Sequence, residues 1–323
     1  PPTSETVKNR TPTLVELPDP EPGSGEVLVR VRATALNRAD LLQIRGLYPP
    51  PRGESEVPGL ECAGTIERLG PETRGWAAGD RVMALLAGGG HGERVVVPTG
   101  QLMPIPEGMD FTDAAALPEV ALTAWTNLVV EGGLQRGETV LIVAAASGVG
   151  SFAVQLAREL GGRILVAGRT LQRLERLRPL GADICLRLDD ELVKQARAAN
   201  DRRGVDLIFD LAGGEALASR MAALRTGGRC VLVGILAGAR TEIDLADVLR
   251  RRLRLIGSVL RSRSREEKAR LVADFQSFAG DRLRDGRLQP VVHRVYPFER
   301  ITEAYEQLEK GGVFGKLVVS MEA

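Results

Sequence analysis

The chain has 323 residues, 44% hydrophobic and 26% charged, enough for two domains of ordinary globular composition. Its 43 basic and 42 acidic side chains leave a formal net charge of +1, which argues against nucleic acid or a membrane surface as a partner. No apolar run approaches the ~20 residues of a membrane span, and Cys62, Cys185 and Cys230 are isolated and odd in number, so neither a disulfide framework nor a zinc spacing is present and a reducing, cytoplasmic compartment is expected.

Nothing at the N-terminus reads as a signal peptide. The chain begins Pro1-Pro2-Thr3 without a methionine, as a trimmed chain or a piece of a longer one would. Residues 1–25 are polar and proline-rich. Residues 26–33 (EVLVRVRA) alternate apolar and polar, the pattern of a half-buried strand, and residues 37–45 form a short helix capped by Asn37. A loop carries Tyr48 ahead of three prolines. Residues 61–69, 81–85 and 93–97 read as further strands, with Gly/Pro turns between them, which predicts a compact, barrel-shaped antiparallel β domain.

The texture changes after Pro104. Residues 110–130 read as one or two helices, and a βα alternation then begins. Strands are predicted at 139–144, 163–167, 184–186, 206–210, 229–233 and 253–258, the makings of a doubly wound parallel sheet. A long amphipathic helix follows Ser264. After it come a strand at 291–295, a helix at 298–309 and a strand at 316–320, which fit a return to the first domain. The predicted division is 1–117 with 264–323, and 118–263.

The organising stretch is 139–150, TVLIVAAASGVG. An apolar strand runs into a small-residue turn, then into a helix whose apolar positions Val149, Phe152, Ala153, Leu156 and Leu160 recur at helical spacing. That context suits a pyrophosphate, because backbone N–H groups and the helix N-terminus both face it. A GxGxxG fingerprint would place glycine at 145, 147 and 150. Here stand Ala145, Ser147 and Gly150, with Ala146, Gly148 and Val149 between them, and the six residues alone also suit a turn without a ligand. After the second strand, no acid stands where an NAD ribose would need one. Gly168, Arg169, Thr170 and Arg173 stand there instead, a composition that fits a 2′-phosphate and hence NADPH, or simply a solvated helix start.

Across nearly its whole length the chain resembles the zinc-free quinone oxidoreductase branch of the medium-chain dehydrogenase/reductase superfamily, the zeta-crystallin-like enzymes. It is most similar to the p53-inducible type. The likeness rests on ALNRADLLQIRGLYPPP, VPGLECAG, MALLAGGG, LMPIPEGMDFTDAAALPEVALTAW, ASGVG, SVLRSRS and the terminal GKLVV. The resemblance implies a GroES-like β domain and a Rossmann NADPH domain. It implies an acceptor entering between the domains, with Asn37 and Tyr48 as catalytic candidates. It also places Thr123, Leu211-Ala212-Gly213, Gly234, Leu260, Arg261, Phe314, Gly315 and Lys316 among the cofactor contacts. Homodimerisation through residues 253–258 is implied as well.

Zinc-dependent relatives carry a cysteine where Asn37 stands and a histidine where Leu60 stands, and residues 86–103 hold no cysteine of a structural zinc lobe. No metal site is therefore expected. Cys62 reads as a buried structural thiol, and His91 and His293 as isolated residues, His91 as a polar loop residue. Without a metal, the acceptor must already be electrophilic. The expected activity is NADPH-dependent reduction of a quinone or conjugated enone. The alternatives are an enoyl-thioester reductase domain of a polyketide or fatty-acid synthase, and a non-enzymatic NADPH-binding crystallin or RNA-binding protein.

Overall fold

A strand whose side chains alternate must bury one face, and the longest such strand, β1 (Glu26–Leu36), sits at the centre of the first sheet. The computed structural model describes residues 12–322, so the Pro1-Pro2-Thr3 start lies outside the described residues. Two compact units are present. One takes the chain through Glu119 and again from Arg261 onward, and the other is Val120–Leu260.

In the first unit β1 pairs antiparallel with β2 (Glu61–Leu69) along most of its length. Two strands share its opposite edge: β4 (Arg94–Pro98) near its start and β13 (Lys316–Ser320) near its end. The sheet extends from β2 through β3 (Arg81–Leu85) to β5 (Leu102–Pro104), and from β13 to β12 (Val292–Pro297). The expected antiparallel barrel is corrected here. The sheet is open among the described residues and is mixed, because β12 and β13 run parallel. The reason lies in the chain between them: a helix, Ile301–Lys310, joins them, and a helical crossover returns the next strand in the same direction. Val27, Val29, Val31, Ile66, Val82 and Leu102 fill one core of this unit. Leu36, Leu41, Tyr296, Ile301, Tyr305 and Leu317 fill another.

The long helix Arg265–Arg284 begins with a reciprocal cap. Ser264 Oγ accepts from the Glu267 N–H at 3.2 Å, and the Glu267 carboxylate accepts from the Ser264 N–H at 2.9 Å. The helix packs so closely on the turn Thr99–Gln101 that a Cβ on Gly100 would lie 2.7 Å from Ala269 Cβ.

The second unit is a parallel sheet of β6 (Thr139–Val143), β7 (Arg163–Gly168), β8 (Ile184–Arg187), β9 (Val205–Asp210), β10 (Leu224–Leu232) and β11 (Arg254–Gly257). Their spatial order is β11-β10-β9-β6-β7-β8, with helices between successive strands. This is the doubly wound Rossmann arrangement, whose order reverses beside its first strand, β6. The inner strands β6, β7 and β9 are buried almost throughout and rich in Val, Ile and Leu. The 110–130 region forms helices Phe111–Ala115 and Pro118–Trp125, the second continuing into a π-helical turn, Thr126–Glu131. Among the described residues no helix is long and apolar enough to cross a membrane.

Candidate active site

In the second unit, β6 ends at Val143, and the φ of 59° at Ala144 turns the chain sharply before the helix Gly148–Glu159. Ser147 is the N-cap. Its hydroxyl donates to the Ala144 carbonyl at 2.9 Å and accepts from the Gly150 N–H at 3.1 Å. A Cβ on Gly150 would lie 2.5 Å from both Cα and O of Ala145, so only glycine lets the first helical turn pack this closely on Ala145. Ala145 is buried, and Ala146, Ser147 and Val149 are half-buried. The turn is a small-residue cradle at a positive helix end, which suits a phosphate.

At the end of β7, Gly168 is buried against Leu174, Arg169 and Thr170 are exposed, and Arg173 is half-buried. Neither arginine side chain enters a hydrogen bond or ion pair among the described residues, while the Arg173 N–H donates to the Thr170 carbonyl at 3.1 Å. After β9, Asp210 organises the next loop. One carboxylate oxygen accepts from the N–H groups of Ala212 and Gly213, both at 2.8 Å, and the other from Arg220 Nε at 2.7 Å. Arg220 then donates to the Gly213 carbonyl at 2.7 Å. The loop after β10 lies against this one. The Ala237 N–H donates to the Ala212 carbonyl at 2.8 Å, and a Cβ on Gly234 would lie 2.6 Å from the Leu211 carbonyl oxygen. The carboxyl ends of β6, β7, β9 and β10 thus gather the sequence-predicted stretches 145–150, 168–170, 211–213 and Gly234. Thr123 and Leu260 are buried in the same unit, and Asn127 Nδ2 donates to the Thr123 carbonyl at 2.7 Å.

The first unit holds a buried charged cluster. Glu61, on β2, has no exposed surface. Its Oε1 accepts from Lys316 Nζ at 2.7 Å and Asn37 Nδ2 at 2.8 Å, and its Oε2 accepts from the Glu119 N–H at 2.9 Å. Lys316 also donates to the Leu36 carbonyl at 2.7 Å and to Asn37 Oδ1 at 2.6 Å. This geometry bears on three of the residues singled out in the sequence. The three ammonium donors of Lys316, which the resemblance places among the cofactor contacts, are engaged here by Glu61, the Leu36 carbonyl and Asn37 Oδ1. Asn37 holds the N-cap position by its backbone, and both ends of its amide are engaged, by Glu61 and by Lys316. His91 is no isolated loop residue. It is buried, and its Nδ1 lies 3.0 Å from the Tyr305 hydroxyl. Burial holds the His91 imidazole below its usual value, with Asp40 opposing, and pushes the Tyr305 hydroxyl up.

Asp40, fully buried, accepts from the N–H groups of Asn37 at 2.7 Å and Gly59 at 3.1 Å. Cys62 is buried, and burial followed by the neighbouring Glu61 charge pushes its thiol up to about 12, as a structural thiol requires. Phe314 is buried beside Gly315, whose φ of 90° and close approach to the Val291 carbonyl admit only glycine.

Beside this cluster stands Tyr48. Arg261 donates to the Tyr48 carbonyl at 3.1 Å, the Ala87 carbonyl at 2.8 Å and Gln43 Oε1 at 2.5 Å, and its guanidinium lies 5.1 Å from the Tyr48 ring centroid. The half-buried Tyr48 hydroxyl makes no hydrogen bond among the described residues. Partial burial raises its pKa, with Arg261 opposing. Glu119 is pushed up to about 8 by burial and then by the Glu61 charge. Lys268 is buried and held below the usual lysine value, first by desolvation. Sequence reasoning missed Glu61 and Glu119 as members of the buried cluster. A signal existed for Glu61, an acid inside a buried strand.

Residues 23–107 match the family model described as alcohol dehydrogenase GroES-like domain, and residues 148–276 match zinc-binding dehydrogenase. A solved quinone oxidoreductase from Thermus thermophilus, also determined in complex with NADPH, is 37% identical, with a TM-score of 0.83 over 96% of both chains. Human quinone oxidoreductase is 29% identical over 93% of this chain and 90% of its own length. Polyketide synthase GfsB of Streptomyces halstedii is 33% identical over 92% of this chain, which spans 5% of that synthase.

Proposed function

Because the chain belongs to the medium-chain dehydrogenase/reductase family of oxidoreductases, we propose that it is an NADPH-dependent, metal-independent reductase of quinones or conjugated enones. The carrying observation is the donor set around Glu61. The neighbouring Leu60 is apolar and buried, Asn37 offers only an amide that is already engaged, and the Glu61 carboxylate is saturated by Lys316, Asn37 and the Glu119 N–H. Among the described residues no three His, Cys, Asp or Glu side chains are grouped to hold a metal ion. These residues do not fit a zinc ion, which takes thiolate, imidazole or carboxylate ligands. An acceptor polarised by its own conjugation suits this site.

The cradle 145–150 fits a dinucleotide pyrophosphate, and Arg169, Thr170 and Arg173 fit the 2′-phosphate of NADPH. The bound nicotinamide supplies the hydride. The protein binds and orients. Arg261 holds the Tyr48 loop through the Tyr48 carbonyl and ring, so the Tyr48 hydroxyl is presented to accept or donate a hydrogen bond at the acceptor oxygen. The outer strand β11, with Leu255 44% exposed, together with exposed Leu245 and Leu249, would be covered by a second copy in a homodimer.

A second reading is favoured by the likeness to the synthase: an enoyl-thioester reductase module. Both readings are separated by one screen. NADPH oxidation is followed with ortho-quinones, para-quinones, small enones and crotonyl thioesters, in parent protein treated exhaustively with chelator. Turnover of quinones or free enones supports the first reading, and turnover confined to thioesters the second. Activity lost on chelation and restored by zinc refutes metal independence.

A further inference from the structure

The amino ends of β6, β9 and β10 border a cavity of about 330 Å³, wholly within the second unit and at the opposite edge of the parallel sheet from the cradle. That volume lies at the lower end of the roughly 300–1,000 Å³ typical of small-molecule sites. Glu138, Asp206 and Arg225 line it from the starts of the three strands, and Arg136, Asn200 and Arg203 from the turns beside them. Apart from Gly137, the described residues that line it are all charged or polar, which suits a small polar solute rather than a ring or an acyl chain.

The two acids of the cavity are already engaged. Asp206 accepts from the Thr139 N–H at 2.8 Å and from Arg225 Nε. Glu138 accepts from the Gln135 N–H at 3.0 Å and from Arg229 Nη1 at 3.1 Å, with Arg225 3.6 Å away. Two carboxylates and two guanidiniums make this group neutral. The other two arginines of the lining are in excess. Arg136 enters no hydrogen bond or ion pair through its side chain among the described residues. Its guanidinium lies on Gly161, where a Cβ would stand 3.3 Å from both Arg136 Cζ and Nη1, so glycine there leaves room for it. Arg203 has one side-chain partner, Asp201 at 3.1 Å, and their side chains are 71% and 81% exposed, so the pair contributes little. Asn200, 9% exposed, donates from Nδ2 to the Gly204 carbonyl at 2.7 Å and so holds the turn that carries Arg203. Nearby Arg197 and Arg251 differ, since they are engaged by the Ala222 carbonyl at 3.1 Å and by Asp247 at 2.7 Å.

We propose that this cavity binds a small polyanion, one carrying two or more phosphoryl or carboxylate charges, through Arg136 and Arg203. Each guanidinium can offer two parallel N–H groups to one such anionic group. A neutral solute would leave the excess positive charge unanswered, and a cation would find both carboxylates occupied. The site works differently from the cradle, where backbone N–H groups and a helix N-terminus favour phosphate. Here the helices Gly148–Glu159 and Leu192–Ala198 present their C-terminal ends, just before Gly161 and Asn200. Their dipoles oppose an anion, so the attraction must come from side-chain charge, which Arg136 and Arg203 supply. The proposal stands whether or not the chain is a reductase.

The test is isothermal titration with diphosphate and with citrate, at an ionic strength fixed with potassium chloride. It compares the parent, Arg136→Gln, Arg136→Gln with Arg203→Gln, and Arg169→Ala with Arg173→Ala. The parent should bind an equivalent of at least one of the two anions with a Kd of about 1 mM or tighter. Arg136→Gln should weaken that binding about tenfold or more, and the double cavity variant should abolish it. Arg169→Ala with Arg173→Ala should leave it in place, which separates the cavity from the cofactor cradle. Tighter diphosphate assigns the ligand to the phosphoryl class, and tighter citrate to the carboxylate class. Arg136→Gln breaks no side-chain bond, so its melting temperature without anion should match the parent's, while the rise on adding the bound anion should shrink. Should the double variant fail to fold, Arg136→Gln decides alone. Binding of neither anion, an unchanged Kd in Arg136→Gln, or a loss confined to the Arg169 and Arg173 variant overturns the proposal.

Discussion

Replacing Lys316 by methionine removes the ammonium but leaves Glu61 buried with two neutral donors, Asn37 Nδ2 and the Glu119 N–H. Removing one member of a buried ion pair costs about 3–5 kcal/mol, because the remaining charge is left uncompensated. For a chain of this size that corresponds to roughly 10 °C in melting temperature. Glu61→Gln should cost a similar amount, since it strands the ammonium with the Leu36 carbonyl and Asn37 Oδ1. The double variant removes both charges, and its cost should fall about 2 kcal/mol or more below the sum of the two. The assay is urea unfolding without cofactor, followed by the fluorescence of Trp76, which packs on the core of the same unit, in a Trp125→Phe background. In each folded variant the ratio of NADPH to NADH affinity should match the parent. Costs that add within about 0.5 kcal/mol would refute the ion-pair argument. A collapse of the affinity ratio in Lys316→Met would favour Lys316 as a cofactor contact, as the resemblance implies.

Arg169→Ala with Arg173→Ala should do the reverse. NADPH binding should weaken by roughly 1.5–3 kcal/mol for each charge-assisted hydrogen bond to the phosphate, with NADH affinity and stability unchanged, as isothermal titration would report. Gly150→Ala drives a methyl group into the Ala145 backbone, so its cofactor-induced rise in melting temperature should shrink at a fixed NADPH concentration, and an undiminished rise would count against the cradle. Glu119 stays protonated in the folded chain up to about pH 8, whereas an unfolded glutamate ionises near 4.3. Its contribution to stability is therefore full below about pH 4 and is lost as pH rises through about 8. The stability of Glu119→Gln relative to the parent should rise across that window, and a flat difference from pH 4 to 9 would contradict the raised value.

Much of the fold was legible because local pattern carried it. Six apolar runs separated by helical periods imply a parallel sheet, since the connection length forbids hairpins. The same logic applied to residues 291–320 would have revealed the parallel pair β12–β13, had the intervening helix been given its topological weight. The cradle was legible for a related reason: its function depends on residues adjacent in sequence, and smallness at Ala145, Ser147 and Gly150 is visible without a structure.

The charged cluster was not legible, because its partners come from distant parts of the chain. Lys316 and Asn37 are 279 residues apart, and Arg261 and Gln43 are 218 apart. Residue type alone made Asn37 a cap and His91 a polar loop residue, and the resemblance made Lys316 a cofactor contact. Each took its role from what the sheet of β1, β2 and β13 brought against it in a place without water. The sequence determined which residues form strands, turns and helices, since those depend on neighbours a few residues away. Tertiary packing decided which charges are spent on one another, because a buried ionised group must find its partner wherever the fold supplies one.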